Sequence, residues 1–348
     1  MWRWRAVGAL NTPNAYGTFV SMASQEISFS RIPGLRVGLA SAPHARTGVT
    51  VVRFGRAAPV VVDVLGGAPA TYDIASLRLD ATFGRRWAIF FTGGSVYGLD
   101  GARGVRTRLI EEGEGQSPFD PSYPIVPISG AAIFDLPRDR TPIPDYAPIA
   151  YEAARRASTA PLAHGRVGAG SGATIGKYLG RNRSMPGGMG SAAVRTSFGS
   201  IGVLVVVNAV GAVHDADSGR WIAGARRRRG PGVVPPGSES DRSLPGSHTT
   251  LALAVTDVAW ARPHLARLAK EVGTGLARAV VPYATSFDGD VTFVASTERR
   301  RPPKVRTDPG EAVDAFGRIA AELARRAVIR AVGPERSGRR RTADRAAP

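Results

Sequence analysis

Residues 249–257 read TTLALAVTD, and residues 201–208 read IGVLVVVN. Both stretches are apolar runs rich in branched side chains, and 201–208 carries no charge at all. A continuous β-branched run is typical of a strand that is buried on both faces, since a strand with one solvated face alternates apolar and polar residues. These two stretches therefore predict interior strands of a layered domain.

The segment before Thr249 has the opposite character. Residues 225–248 contain four consecutive arginines (Arg226–Arg229), four prolines, and several glycines and serines. This composition buries too little apolar surface to offset the loss of chain entropy. A loop of this length inside a compact domain is unusual and often functional. We therefore predict a flexible loop over 225–248 that ends abruptly at a rigid strand.

The junction between loop and strand has a chemical interpretation. A threonine hydroxyl is a weak nucleophile and needs an adjacent base. Cleavage of the bond before Thr249 would free an α-amine, whose pKa of about 7.7–8.0 suits proton transfer near neutral pH. The alternative interpretation is β-propensity alone, because threonine commonly opens strands. The junction by itself leaves both interpretations open.

The remaining elements are read from periodicity and from Gly/Pro breakers. Strands are predicted at 49–54, 59–64, 87–92 and 291–295, and helices from Ser95 and at 148–157, 263–280 and 310–332. A short turn containing Gly55 is expected to separate the first two strands. Strands and helices alternate irregularly without an internal repeat, which predicts a layered α+β or α/β domain.

Composition excludes several classes of site. The 348 residues include no cysteine and five scattered histidines, so disulfides and thiolate metal sites are excluded and a zinc site is not expected. The net charge of +18 lies largely in loop-like segments and in the tail, without a basic helix interleaved with aromatic residues. We therefore expect neither nucleic-acid binding nor a metal.

The amino terminus resembles neither a membrane anchor nor a secretion signal. No apolar run approaches the ~20 residues that a membrane helix needs. The first residues contain arginines, but Asn11, Pro13 and Asn14 interrupt any apolar segment. Met22 is an alternative start, which would make 1–21 an over-called extension. We therefore expect a cytoplasmic protein that does not bind membranes.

Ten short segments, in order along the chain, resemble one known family. They are Pro33-Gly-Leu-Arg-Val-Gly, Thr47-Gly-Val-Thr-Val-Val, Asp63-Val-Leu-Gly-Gly-Ala-Pro, Thr92-Gly-Gly-Ser-Val-Tyr-Gly-Leu-Asp, Val126-Pro-Ile through Ile133-Phe-Asp-Leu, Gly168-Ala-Gly-Ser-Gly-Ala-Thr-Ile-Gly-Lys, Gly187-Gly-Met-Gly-Ser, Val207-Asn-Ala-Val-Gly, Thr249-Thr-Leu-Ala-Leu-Ala-Val-Thr-Asp and Phe287-Asp-Gly-Asp-Val-Thr-Phe. Each is weak alone, but the ordered set over residues 32–295 resembles the L-aminopeptidase/D-esterases and their β-peptidyl aminopeptidase relatives.

The resemblance implies a four-layer αββα sandwich similar to N-terminal-nucleophile hydrolases. It implies a precursor that cuts itself between His248 and Thr249 and then removes N-terminal residues from short peptides, amides or esters, without a cofactor. The chain would consist of an extension (1–30), a large chain (31–248), a small chain (249–332) and a basic disordered tail (333–348). The cleaved pairs would assemble into homo-oligomers.

Catalytic roles follow from the resemblance one residue at a time. Thr249 matches the position of the family's nucleophile, whereas nearby Ser247 does not open a strand. His248 departs from the Asn or Gly that relatives commonly carry before the cut. Asn208 matches an asparagine that donates to the oxyanion, a contact worth ~3–4 kcal/mol in the transition state.

Two carboxylates complete the implied site. Asp288 and Asp290 match positions near the nucleophile and would hold its α-amine and tune its proton affinity. Two residues apart on an extended segment, they would face the same side. The alternative is an ordinary Asp-Gly-Asp turn. A tyrosine that some relatives use falls near Phe134, so its hydroxyl is expected to be absent here.

Two other functions stay open on the sequence. Ornithine acetyltransferases share a similar fold and self-cleave before threonine, although their junction normally reads Thr-Met-Leu instead of Thr249-Thr250-Leu251. An unprocessed, basic binding protein on the same fold is the other alternative, and it would bind nucleic acid in a salt-sensitive manner.

Overall fold

The computed structural model describes residues 24–42, 44–117, 119–136, 142–238, 248–302 and 309–333. Most of the predicted extension (1–23), the end of the predicted loop with Ser247 (239–247), and the tail (334–348) lie outside these residues. Residues 25–30, which the sequence assigned to the extension, belong to the domain as a strand and the start of a 3-10 helix. No helix among the described residues is long and apolar enough to cross a membrane.

Seventeen strands and four α-helices make up the described chain. The strands are β1 (Gln25–Ile27), β2 (Leu35–Ser41), β3 (Gly48–Val64), β4 (Ala70–Tyr72), β5 (Arg85–Thr92), β6 (Ile128–Ala132), β7 (Thr174–Ile175), β8 (Met185–Pro186), β9 (Gly188–Arg195), β10 (Ser200–Asn208), β11 (Ala212–Asp215), β12 (Arg220–Ala223), β13 (Ala225–Arg226), β14 (Val233–Val234), β15 (Thr249–Val258), β16 (Val280–Val281) and β17 (Val291–Arg300). The helices are α1 (Gly101–Glu111), α2 (Tyr146–Arg155), α3 (Arg262–Ala277) and α4 (Pro309–Val332).

Ten strands form one hydrogen-bonded sheet. Nine of them follow one path in the order β1-β9-β10-β15-β17-β3-β5-β6-β4, and β2 pairs with β3 beside this path. The long strand β3 belongs to both halves of this path. Its first part pairs with β2 and β5, and its last part pairs with β17. The two halves face each other, as the contact between Phe91 of β5 and Phe293 of β17 shows, with ring centroids 6.1 Å apart.

Three buried apolar layers separate four structural layers. The central layer lies between the two sheet halves and includes Val52, Phe91, Leu204, Leu253 and Phe293. A second layer packs α3 and α4 on the outer face of the half that contains β10 and β15. A third packs α1 and α2 on the other half. The predicted four-layer αββα sandwich is therefore confirmed.

The uninterrupted apolar run of β10 follows from this layering. Alternate side chains point to opposite faces of a strand. Leu204 and Val206 lie in the central layer, while Val203, Val205 and Val207 pack under the helices. All nine residues of β10 are buried. Burying one such side chain contributes roughly 1.5–3 kcal/mol, which favours apolar residues on both faces between the two polar ends of the strand, Ser200 and Asn208.

Two sequence expectations were wrong. The predicted strands 49–54 and 59–64 are one strand, β3, whose register shifts between Arg53 and Ala58 instead of turning at Gly55. The first part of the predicted flexible loop is also ordered, because β13 and β14 pair with each other. The Tyr178 hydroxyl donates to the Val234 carbonyl and ties this hairpin to the domain.

Candidate active site

Three strand ends bring the predicted site residues together. Asn208, the last residue of β10, lies opposite Thr249, the first residue of β15. On the other side of β15, the parallel strand β17 follows Asp288-Gly289-Asp290, and His248 forms an isolated bridge with Asp288. The five predicted residues thus lie together at the ends of neighbouring interior strands, and all of them are buried.

The two faces of β15 separate the site into two parts. Leu251 and Leu253 lie in the central layer, whereas Ala252 and Ala254 pack under the helices. By strand alternation, Thr249 faces the interior between the sheets and Thr250 faces the helices. The candidate nucleophile, Thr249, is therefore the threonine whose side chain faces the space between the two sheet halves.

The carbonyl oxygen of His248 accepts two hydrogen bonds. The Thr249 hydroxyl donates to it over 2.5 Å, and the Gly289 amide donates over 2.8 Å. A Cβ atom on Gly289 would lie 2.8 Å from the Thr249 hydroxyl oxygen, so a side chain there would crowd the hydroxyl. A hydroxyl and an oxyanion donor thus converge on one peptide bond, the arrangement that acyl transfer requires.

Lys177, which the sequence analysis did not single out as a site residue, contacts Asn208 directly. Its ammonium group donates to the Asn208 backbone oxygen (2.7 Å) and side-chain oxygen (2.8 Å). The Asn208 side-chain amide donates to the Phe134 carbonyl over 3.2 Å. Burial, and secondarily the charge of Arg181, lower the pKa of Lys177 well below its usual range, although Asp288 and Asp135 oppose this shift. A lowered pKa favours the neutral amine, which is the form that is able to accept a proton.

The two predicted carboxylates hold main-chain amides. Asp288 accepts from the Thr285 amide over 2.7 Å, and Asp290 accepts from the amides of Thr250 and Ala284. Burial raises the pKa of Asp290 to about 7, and the charge of Asp288 adds to this shift. Burial also raises the pKa of Asp288. Asp290 therefore anchors the residue next to Thr249. This contact gives Asp290 a role beyond the alternative interpretation, which treated Asp-Gly-Asp as an ordinary turn.

A second buried group, also missed in the sequence, lies beyond Phe134. Asp135 accepts from the Gly94 amide over 2.7 Å, and its other carboxylate oxygen is buried without a hydrogen-bond partner. Burial raises the pKa of Asp135 to about 6, while the Gly94 amide, the nearby Thr47 hydroxyl and, less strongly, the charge of Lys177 oppose this shift. The Tyr146 hydroxyl lies 2.9 Å from the Thr47 hydroxyl. Thr47, Gly94 and Asp135 belong to segments 47–52, 92–100 and 133–136, which carry the family resemblance and could have drawn attention to this group.

The described residues contain no group of three or more His, Asp or Glu side chains arranged to hold a metal ion. The chemistry that the cluster supports comes from a hydroxyl, an amine, amide donors and carboxylates. These groups suffice for acyl transfer through a covalent intermediate.

The four layers define a domain with the N-terminal-nucleophile hydrolase type of fold. The chain belongs to peptidase family S58, whose model matches residues 28–340. It is similar to an uncharacterized aminopeptidase of Mycobacterium leprae, with 32% identity over 80% of each chain. It is 30% identical to a 6-aminohexanoate-oligomer endohydrolase of an Agromyces species, over 86% of this chain and 84% of that protein.

Solved structures agree on the fold. The L-aminopeptidase D-Ala-esterase/amidase of Ochrobactrum anthropi, described as a variant of the Ntn hydrolase fold, superposes with a TM-score of 0.64. The identity is 19%, over 87% of this chain and 85% of that one. The predicted family resemblance and the hydrolase class are confirmed, and the family match does not favour an ornithine acetyltransferase or a basic binding protein.

Proposed function

We propose that this protein is a self-processing threonine aminopeptidase that cuts its own chain between His248 and Thr249. The observation that carries the proposal is the convergence of the Thr249 hydroxyl and the Gly289 amide on the His248 carbonyl oxygen. Before cleavage, the nitrogen of Thr249 is part of a peptide bond and cannot act as a base. The buried Lys177 amine, hydrogen-bonded to Asn208, is the base proposed for this step.

The proposed cleavage proceeds in two steps. The Thr249 oxygen bonds to the His248 carbonyl carbon, the carbon–nitrogen bond breaks, and the proton passes through the base to the departing nitrogen. Water then adds to the resulting ester, whose carbon–oxygen bond breaks to give a carboxylate at His248 and a free hydroxyl at Thr249. The Gly289 amide stabilises the oxyanion in both steps.

Cleavage turns the product into the catalyst. The new α-amine of Thr249 serves as the base for its own hydroxyl. Asn208, directly opposite on β10, is the donor proposed for the substrate oxyanion. Asp290 holds the Thr250 amide and fixes the start of the strand.

The proposed substrate is a short peptide, amide or ester with a free amino terminus. A cationic amino terminus needs an anionic partner in a low-dielectric site. Asp135 offers a buried carboxylate oxygen without a partner, within electrostatic reach of Lys177 beside Asn208. This feature favours an aminopeptidase over an endohydrolase, although the relative that is 30% identical makes 6-aminohexanoate oligomers a sensible second substrate class to assay.

The test is the intact mass of the purified protein under denaturing conditions. We expect two fragments, residues 1–248 and 249–348, from the wild type and a single uncut chain from Thr249→Ala. Thr249→Ser is the matched control, because it keeps the hydroxyl and should still be cut. An uncut wild-type chain would refute self-processing.

A further inference from the structure

Polar groups without partners collect behind the nucleophile strand. Ten buried side-chain atoms of the described residues have no hydrogen-bond partner, and five of them lie on segments that meet at Asp290. These five are atoms of Asp63, Thr250, Tyr283, Asp288 and Thr292. A buried polar atom without a partner costs roughly 1–3 kcal/mol of folding free energy, so five such atoms in one place would be strongly destabilising if nothing bound them.

The register places these groups on one face of the sheet. Thr292 of β17 lies directly opposite Asp63 of β3. Asp290 precedes Thr292 by two residues, and its carboxylate binds the amide of Thr250. Residues that alternate along strands share a face, so Asp63, Thr292 and Asp290 face α3, away from the Thr249 hydroxyl.

Asp63, Thr292 and Asp290 form a row of polar side chains on this face, and Tyr283 interacts electrostatically with the carboxylates at its two ends. Burial raises the pKa of Tyr283, the charges of Asp290 and Asp63 add to this shift, and the Thr292 hydroxyl opposes it. The phenol therefore lies within electrostatic reach of both carboxylates. The hydroxyls of Tyr283, Thr292 and Thr250 make no hydrogen bond of normal distance and angle. Thr292 is nevertheless close enough to Tyr283, and Thr250 to Asp290, to lower the pKa of each of those two groups.

The row reaches the surface at its far end. One carboxylate oxygen of Asp63 accepts from the Lys270 ammonium over 2.6 Å, while its other oxygen is buried without a partner. The Asp63 side chain is 14% exposed and that of Lys270 is 60% exposed. The inner carboxylate Asp290 thus has a polar connection to solvent on the side opposite the nucleophile.

We infer that Asp63, Thr292 and Tyr283, bridged by buried water, form a polar channel that sets the protonation state of Asp290 from behind the nucleophile strand. Buried water typically bridges two to four otherwise unsatisfied polar groups, and the row supplies them. The inference deepens the proposed function, on which its catalytic consequence rests. Asp63, Thr292 and Tyr283 are positioning residues, because they act through Asp290 and not on the substrate.

Several charged groups surround Asp290. Asp288 lies on the same loop, and His248 pairs with Asp288 across the strand start. Lys177 is in electrostatic contact with Asp288. Asp63 and its partner Lys270 are the charged pair at the far end of the row. Of these, only Asp63 and Lys270 lie outside the cluster that touches the reacting groups.

The inference predicts shifts of opposite sign for two substitutions. Asp63→Asn removes a negative charge, which favours ionised Asp290 and should lower its pKa by about 0.5–1 unit. Thr292→Val keeps the shape but removes a polar group, which disfavours ionised Asp290 and should raise its pKa by a similar amount. General destabilisation of the fold would not separate the two variants by sign.

The test is a carboxyl carbon NMR titration of Asp290 in the uncut Thr249→Ala background, with the signal assigned by its loss in Asp290→Asn. This background needs no self-cleavage, so an uncut wild type would refute the proposed function and leave this measurement intact. Tyr151→Phe is the control, because it removes a surface hydroxyl far from the row. Opposite shifts in Asp63→Asn and Thr292→Val support the channel, whereas an unchanged titration or shifts of the same sign overturn it.

A second readout connects the channel to chemistry. In cleavage-competent protein, the pH dependence of the self-cleavage rate should move to lower pH in Asp63→Asn and to higher pH in Thr292→Val. Identical profiles in all three proteins would contradict control of Asp290 by the channel.

Discussion

Gly289 packs directly against the candidate nucleophile. Its amide donates to the carbonyl of His248, and its missing side chain leaves room for the Thr249 hydroxyl. The contact between the Gly289 amide and the His248 carbonyl, and the space for the Thr249 hydroxyl, therefore both require a residue without a Cβ at position 289.

We expect Gly289→Ala to slow self-cleavage at least 10-fold, because its Cβ would lie 2.8 Å from the Thr249 hydroxyl oxygen and 3.0 Å from the Ala68 carbonyl oxygen. The uncut fraction should be followed by denaturing electrophoresis over time. Gly55→Ala is the matched control, since the nearest atom to its Cβ is the mobile end of Arg299, at 3.2 Å. Equal cleavage of the two variants would show that the crowding is relieved without consequence.

Asp135 provides the residue-scale test of substrate class. We expect Asp135→Asn to raise the KM for a dipeptide with a free amino terminus about 10-fold or more, since a charged hydrogen bond to the amine is lost. An N-acetylated analogue should show little difference between the two enzymes. Because the pKa of Asp135 is about 6, the wild-type KM should also rise as pH falls through 6. A KM that is unaffected for the free amine would remove Asp135 from the substrate site.

At the scale of elements, β15 is the strand on which the site depends. It pairs with β10 along eight residues and with β17 on its other side. Its start lies at the candidate cleavage junction, and its length runs through the sheet. The small fragment that begins at Thr249 would therefore contain two interior strands, β15 and β17.

We expect the two fragments to stay associated after cleavage, because their separation would expose both apolar layers that β15 borders. Gel filtration without denaturant should give one peak that contains both fragments, and the same sample in concentrated urea should give two. Separation in native buffer would contradict this account of the sheet.

Local patterns predicted some elements well and others poorly. The strands at 201–208 and 249–257 were correct because their apolar runs carry the signal alone. The turn at Gly55 was wrong because β3 bends where it exchanges one partner strand for another, which a single stretch of sequence does not encode. The β13–β14 hairpin was missed since a distant tyrosine, Tyr178, helps to hold it. Lys177 was missed as a site residue because its burial arises from tertiary packing.

At the scale of the whole molecule, buried carboxylates tie stability to pH. Burial raises the pKa of Asp290 to about 7 and that of Asp135 to about 6, against about 3.9 in an unfolded chain. The native state therefore binds these protons more tightly than the unfolded state does. Their stabilising contribution is complete below about pH 4 and is lost as pH rises through 6 and 7.

We expect the free energy of unfolding to decrease between pH 4 and 7 more steeply in the wild type than in Asp135→Asn/Asp290→Asn. Carboxylates paired with arginine, such as Glu112 and Glu322, have lowered pKa values and contribute the opposite slope at lower pH. Both proteins share that slope, so urea denaturation at several pH values isolates the buried pair. Parallel curves would show that neither carboxyl is protonated in the native state.

The shared strand β3 has a consequence for cooperativity. Neither half of the sheet is complete without it, since its first part closes one half and its last part closes the other. A local opening that frees one end of β3 also removes a neighbour from the opposite layer. For the described part of the sandwich we therefore expect that neither half opens alone and that the four layers melt as one unit.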